Sequence, residues 1–190
     1  MKTQFMWLPA GLFAFAALTA TGTAASTQTQ LPSPLVAEGF RAQCVGSGIL
    51  KWFGLEIYTA SLWTPDANFS GFGEEPVAFS LDYRRSFSRD RLIDITRTAW
   101  DELALANDEQ QQRWSQQLAT IWVDVRGGSN MTTLVLPSGE TRFYSAEQFL
   151  GRIEDPAFGP AFLQIWLDER VADTALGKLR ADLLHRSARN

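Results

Sequence analysis

Apolar and polar positions alternate along much of this chain, and the alternation predicts β-strands. The clearest case is residues 77–87, where every second residue from Val77 to Tyr83 would face one side of a sheet. Gly46-Ser47-Gly48 is typical of a turn or a bulge, and residues 137–140 are typical of a hairpin loop. The other predicted strands are residues 36–45, 49–53, 55–63, 131–136, 141–144 and 149–153.

Apolar residues recur at helical spacing in the middle and near the end of the chain. Ser88 is placed to cap a helix that runs to about residue 105. Asp108 with Gln111 fits a capping box at the start of a second helix, and Asp173 is placed to cap a last one. The residues expected to face inward are Leu92, Ile95, Ala99 and Leu103, then Trp114, Leu118, Ile121 and Trp122, and finally Leu176, Leu179, Leu183 and Leu184.

The most apolar helix is predicted at residues 155–168. Asp155 can cap its start, Pro156 suits a first helical position, and Pro160 predicts a kink or a restart. The segment is either an ordinary core helix or the roof of an apolar ligand cleft. Its apolar stripe, at positions i, i+4, i+7 and i+8, consists of Phe158, Phe162, Ile165 and Trp166.

The order of these segments predicts an α+β fold, a mostly antiparallel sheet with helices layered on one face. Residues 1–25 are predicted to be a signal peptide, because Lys2 precedes an apolar run that ends in small residues near Ala25. We therefore expect export, with the periplasm as the destination, and an uncleaved anchor is the alternative. Residues 26–35 are predicted to be a flexible leader and residues 36–186 the folded domain, without a membrane span in the mature form.

Composition excludes several kinds of chemistry. Cys44 is the only cysteine and His185 the only histidine, so neither an intrachain disulfide nor a His–Cys zinc site can form. Because this histidine lies near the C-terminus, neither a Cys-His nor a Ser-His catalytic relay is expected. The net charge of −4, without a clustered basic face, argues against nucleic acid as a partner. We expect no metal and no cofactor, and the oligomeric state stays open.

Motifs spread over about residues 45–184 resemble the chalcone isomerase-like family, in particular its exported bacterial branch. Each motif is weak alone, and the resemblance rests on their order and spacing. It implies an antiparallel sheet covered by helices, with a ligand cleft between the two layers. The motifs are Gly46-Ser47-Gly48, the run from Leu55 to Trp63, Leu81-Asp82-Tyr83, Arg142-Phe143-Tyr144, residues 151–156 and the run from Phe162 to Leu167.

The catalytic side chains of plant chalcone isomerases are mostly missing from the matching positions. Those enzymes close a flavanone ring with an arginine that stabilises the phenolate, helped by polar Tyr, Asn and Thr side chains. Alignment without gaps places Arg41 at the arginine and Phe53 at a strand threonine. Ser88 and Ile95 fall at a helix tyrosine and asparagine, and Ile165 falls at the last polar position. The resemblance therefore implies the fold and a cleft, and it argues against the cyclisation.

The predicted function is non-catalytic binding of a small apolar or amphipathic molecule between the sheet and the helices. Arg41 would bind a carboxylate on that ligand by two parallel hydrogen bonds. One alternative is an isomerase or lyase in which Arg41 stabilises an enolate or a phenolate. Arg41 is the only catalytic candidate, and it is one only by resemblance. Another alternative is an envelope scaffold or interaction protein. The predicted ligand-binding residues are Arg41, Phe53, Tyr58, Ile95, Phe162 and Ile165.

Overall fold

The computed structural model describes residues 31–184, so the predicted signal peptide, most of the leader and the predicted domain end at residue 186 lie outside the described part. Within it, six strands form one antiparallel sheet in chain order, β1-β2-β3-β4-β5-β6. The strands are β1 Gln43–Trp52, β2 Leu55–Thr64, β3 Val77–Tyr83, β4 Asn130–Val135, β5 Thr141–Ser145 and β6 Phe149–Ile153. The helices are α1 Ser33–Ala37, α2 Arg89–Glu102, α3 Asp108–Ile121, α4 Phe158–Leu167 and α5 Gly177–Leu184, with a 3₁₀ turn at Glu169–Val171. The predicted α+β architecture is confirmed.

Alternation along the strands divides the apolar interior into two cores. In β3, Phe79 and Leu81 belong to the main core, where the sheet packs against α2, α3, α4 and α5. Ala78, between them, belongs to a smaller core on the opposite face. That smaller core also contains Leu35 of α1, Trp63, Leu134 and Tyr144. The four larger helices therefore cover one face of the sheet, and α1 covers part of the other.

Helix α1 replaces the start of the strand predicted at residues 36–45 and the end of the predicted leader. Leu35 is fully buried in the smaller core, and Pro34 occupies the first turn, where its missing N–H costs nothing. The Tyr144 hydroxyl donates a 2.8 Å hydrogen bond to Glu38, just after the helix. Burial and this bond raise the pKa of Tyr144 to about 12. These contacts hold residues 33–38 against the sheet, so β1 begins only at Gln43.

Gly46-Ser47-Gly48 lies inside β1 and is not a turn. The pairing with β2 shifts register between Cys44 and Gly46, so the alternative prediction of a bulge fits. The glycines are required because α5 lies directly on this strand. A Cβ atom at Gly46 would lie 2.7 Å from the carbonyl carbon of Leu183. Two glycines therefore let a helix approach a strand more closely than side chains would permit.

The helix starts agree with the sequence to within a few residues. Ser88 caps α2 and accepts a hydrogen bond from the Arg91 N–H at 3.2 Å, as predicted. The capping box of α3 lies one residue earlier than predicted, because Asn107 and Gln110 exchange its two hydrogen bonds. Asn107 is as good a cap as aspartate, and the choice between neighbouring cap residues is set by where the preceding loop ends.

The two C-terminal helices start later than predicted. Helix α4 begins at Phe158, so Pro160 falls in its first turn, where no intrahelical acceptor is lost and no restart is needed. Asp155 instead accepts hydrogen bonds from the Ala157 N–H at 3.0 Å and the Trp114 indole at 2.9 Å. The predicted Asp173 cap is wrong, since α5 begins only at Gly177. Across residues 31–184, no helix combines the length and apolar character that spanning a bilayer requires.

The β1–β2 turn offers a prediction about stability. Phe53 has φ 47° and Gly54 has φ 77°, a conformation that favours Asn-Gly in two-residue hairpins. Phe53 is also 91% exposed, so its ring gains little from burial. We expect Phe53→Asn to raise the free energy of unfolding by about 0.5–1 kcal/mol, measured by denaturant unfolding. Phe53→Val, β-branched at the same φ, should lower it, and an asparagine variant less stable than the parent would contradict this interpretation.

Candidate functional site

A cavity of about 90 Å³ lies between the sheet and the helices of the main core. Strands β1 to β4 form its floor, α2 and α4 form its roof, and residues 174–176 close one side. Its inner walls are buried, whereas Trp52, Ile57, Phe87, Leu92 and Ile95 at its rim are only half-buried. These apolar side chains border an opening, and the cavity shares its concave, mostly apolar lining with small-molecule sites.

The lining of the cavity is apolar, and no charged side chain of the described residues belongs to it. Its polar atoms are the hydroxyls of two tyrosines and three threonines and the indole N–H groups of its tryptophans. Such a surface favours a molecule that is largely hydrocarbon, because transfer of apolar area out of water drives binding. The lining consists of Leu50, Trp52, Ile57, Tyr58, Leu81, Tyr83, Phe87, Leu92, Ile95, Thr96, Trp122, Met131, Thr133, Phe162, Ile165, Trp166, Thr174, Ala175 and Leu176.

One part of the wall is held together by contacts among Tyr58, Tyr83 and Trp166. Tyr58 and Tyr83 are directly paired across β2 and β3, with ring centroids 6.0 Å apart at 73°. The Trp166 indole N–H donates a 2.8 Å hydrogen bond to the Tyr58 hydroxyl oxygen. The Trp166 ring also packs edge-on against Phe162, with centroids 5.3 Å apart. These contacts fix both the position and the rotation of the Tyr58 hydroxyl.

Both tyrosines stay protonated. Burial raises the pKa of Tyr58, and the hydrogen bond from Trp166 offsets only part of that rise. Burial also raises the pKa of Tyr83, and the nearby Tyr58 adds to the effect because two phenolates would repel each other. The two hydroxyls are therefore hydrogen-bond donors at any physiological pH, and neither is poised to act as a base.

Four of the six residues predicted to bind a ligand line this cavity: Tyr58, Ile95, Phe162 and Ile165. Ile95 lies on α2, Phe162 and Ile165 lie on α4, and Tyr58 lies on β2. Three elements that are far apart in sequence therefore place these four side chains around the same cavity. The apolar stripe of α4 contributes both to the core and to the cavity roof, so the two interpretations of that helix hold together.

Arg41 and Phe53 lie elsewhere, and the predictions for them are corrected. Arg41 is exposed just before β1, and its guanidinium donates to the backbone carbonyl of Val36 at 3.1 Å. The gap-free alignment that placed it in the cleft ignored the register shift between Cys44 and Gly46. Phe53 occupies the β1–β2 turn and points into solvent. The expected pairing of Arg41 with a ligand carboxylate therefore has no counterpart in this cavity.

Sequence reasoning did not select Tyr83, although its signal was present. The residue ends the alternating series of β3, in which Phe79 and Leu81 face the helices. Its hydroxyl can both donate and accept a hydrogen bond, so the end of this inward-facing series carries a polar group that needs a partner. Trp166 belonged to the predicted stripe of α4, but its hydrogen bond to Tyr58 depends on a tertiary contact that no local pattern contains.

A second depression lies between residues 66–72 and the C-terminal end of α4, near Asp168 and Arg180. Exposed polar residues such as Asn68, Ser70 and Glu169 line much of it. It lacks the continuous apolar wall of the first cavity, which is therefore the better candidate site. No group of three or more His, Cys, Asp or Glu side chains that could hold a metal ion occurs within residues 31–184.

Comparison with known proteins agrees with the fold and its order of motifs. The sequence profile described as chalcone isomerase-like matches residues 24–185. No curated protein matches the chain. The crystal structure of a fatty-acid binding protein from Arabidopsis thaliana has a similar fold, with a TM-score of 0.54 and 11% sequence identity. The alignment covers 75% of this chain and 86% of that one, and at this identity the likeness concerns the fold alone.

Proposed function

The chain belongs to the chalcone isomerase-like family, and on this premise we propose that it is a non-catalytic member that binds a small apolar molecule in the cavity between its sheet and its helices. The observation that carries the proposal is an uncharged, almost wholly apolar lining that reaches the surface through half-buried side chains. Protein interiors are normally close-packed, so an empty cavity of this kind lowers the stability of the fold. Binding of hydrocarbon would restore the missing contacts.

The similar fold of a fatty-acid binding protein supports this proposal by analogy. The alternative of an isomerase or lyase depended on Arg41, whose guanidinium contacts the Val36 carbonyl outside the cavity. Among the described residues, the cavity wall holds no base that could abstract a proton to generate an enolate. The scaffold alternative required a filled interior, and the cavity of about 90 Å³ does not favour it.

Export to the periplasm is part of the same proposal. It is supported by the basic and apolar N-terminal segment, Lys2 followed by the apolar run of residues 5–20, and by the small residues near Ala25. A carrier or sensor of apolar molecules would have a use in an envelope compartment. N-terminal sequencing of the protein recovered from the periplasmic fraction tests this part, and recovery of the uncleaved chain would contradict it.

Purified protein is expected to carry its ligand. Native mass spectrometry of the protein from its own host should show a bound species that organic extraction removes, since an apolar molecule in a buried cavity dissociates slowly into water. The same extract from Ile165→Phe, which fills the roof of the cavity, should contain less of it. Protein from the host that carries no extractable small molecule and takes up no added hydrocarbon ligand would contradict the proposed function.

A further inference from the structure

The polar atoms of the cavity indicate which polar group its ligand carries. Two of the threonine hydroxyls already have acceptors, since Thr96 donates to the Leu92 carbonyl at 2.8 Å and Thr174 donates to the Val171 carbonyl at 2.7 Å. The free hydrogen-bonding capacity near the middle of the sheet therefore lies mainly with the two tyrosines.

Within residues 31–184, the hydroxyl hydrogens of Tyr58 and Tyr83 have no acceptor. The Tyr58 oxygen receives the Trp166 indole N–H, so its own hydrogen remains to be donated. Tyr83 is 5% exposed and lines the cavity, and its hydroxyl makes no hydrogen bond within residues 31–184. A donor that faces an apolar cavity without a protein partner is satisfied when a ligand or a water supplies an acceptor.

Trp122, another residue of the lining, provides a third donor without a partner. Its indole Nε1 has no hydrogen-bond partner within residues 31–184. The unsatisfied groups around the cavity are thus hydroxyl and N–H donors, and none of them is a cation. A complementary ligand presents an acceptor oxygen to them and hydrocarbon to the rest of the wall.

We propose that the cavity selects molecules whose polar group is an uncharged hydrogen-bond acceptor, such as the carbonyl of a ketone or an ester, bound by the hydroxyls of Tyr58 and Tyr83. This inference rests on the proposed function and specifies its ligand class. An ionised carboxylate fits poorly, because burial of a charge without a partner costs several kcal/mol in real proteins.

Three cations on segments that adjoin lining residues lie outside the lining itself. The guanidinium of Arg84, just after β3, donates to the Thr59 hydroxyl at 3.3 Å, and that of Arg85 donates to the Glu56 carbonyl at 3.4 Å. Lys51 forms a 3.3 Å ion pair with Glu56 on the β1–β2 hairpin. A carboxylate held at the mouth by one of these groups is the competing arrangement, and it predicts the opposite order of affinities.

Nonanoate and 2-decanone test the proposal, since they share an eight-carbon tail and differ by O⁻ against CH₃ on the same carbonyl. At neutral pH we expect 2-decanone to bind the full-length protein at least about tenfold more tightly in calorimetric titration. Tyr83→Phe should weaken 2-decanone binding by about three- to tenfold, the loss of one hydrogen bond. Tyr144→Phe is the matched control, because Tyr144 bonds Glu38 on the opposite sheet face, and it should not change the affinity.

The carbonyl stretch of bound 2-decanone is an independent readout that does not require a variant. Hydrogen bonds from the tyrosines should lower its infrared frequency below the value in hexane, and Tyr83→Phe should move it back. Nonanoate binding as tightly as the ketone, or a bound ketone with an unshifted carbonyl, would overturn this inference and leave the proposed function standing. Failure of both molecules to bind would overturn the proposed function itself.

Discussion

Ile95→Trp is expected to lower the affinity for an apolar ligand at least about 30-fold, roughly 2 kcal/mol. Ile95 is half-buried on α2 and faces the cavity of about 90 Å³, so the larger indole would occupy the space that the ligand needs. The fold should tolerate the change, because the added atoms enter a void instead of a packed core. We expect the free energy of unfolding to change by no more than about 1 kcal/mol.

The measurement is a calorimetric titration with 2-decanone and nonanoate, and the comparison uses whichever binds the parent more tightly. Thr98→Trp is the matched control, since it places an indole on the exposed side of the same helix. That variant should bind the ligand as the parent does. If Ile95→Trp retained the parent affinity within about threefold while remaining folded, the cavity would not be the binding site.

Gly46→Ala is expected to lower the free energy of unfolding by about 3 kcal/mol. Its methyl group would overlap the backbone carbonyls of Asp182 and Leu183, and a helix backbone cannot yield by rotating a side chain. Helix α5 would have to move away from β1, with loss of the contacts that bury Leu179 and Leu183. Because residues 174–176 line the cavity just before α5, ligand affinity should fall as well.

Thermal or denaturant unfolding measures this effect. Gly127→Ala is the matched control, because its added methyl would lie 3.2 Å from the nearest atom, the Arg84 carbonyl oxygen, and needs only a small adjustment. We expect that variant to lose less than about 1 kcal/mol. Equal stabilities of the two alanine variants would show that α5 does not press on β1 as closely as described.

The strands and most helices were predictable because their signals are local. Ser88 fits an N-cap, and residues 77–83 alternate with the two-residue period of a strand, although the structure buries both faces of β3. The start of the domain was not predictable in this way. Helix α1 is stabilised because Leu35 packs in the smaller core on one face of the sheet and Glu38 accepts a hydrogen bond from Tyr144. A segment of five residues is too short for such contacts to produce a periodic apolar pattern in the sequence.

The candidate site was predictable in part. Ile95, Phe162 and Ile165, which were predicted to bind a ligand, do line the cavity, since their elements keep a simple helical period. The predicted positions of Arg41 and Phe53 were wrong, because counting residues along β1 took no account of the register shift near Cys44 or of the two-residue turn after Trp52. Residue counting works within a regular element and fails across an irregularity.

Helix α2 shows what an apolar pattern alone cannot distinguish. Its fully buried face is Ile93, Thr96, Ala99 and Trp100, one residue away from the predicted stripe that began at Leu92 and Ile95. Leu92 and Ile95 are apolar because they line the cavity and its rim, and they stay half-buried. Apolar residues that the fold leaves partly uncovered are therefore the feature of this helix that indicates a ligand.

A crystal structure of the protein grown with 2-decanone tests most directly whether an apolar molecule occupies the space between sheet and helices. The expected result is ligand density between Ile57, Ile95 and Ile165, with the oxygen beside the hydroxyls of Tyr58 and Tyr83. Density only in the depression near Asp168 and Arg180, or side chains that fill the space in every copy, would contradict the account.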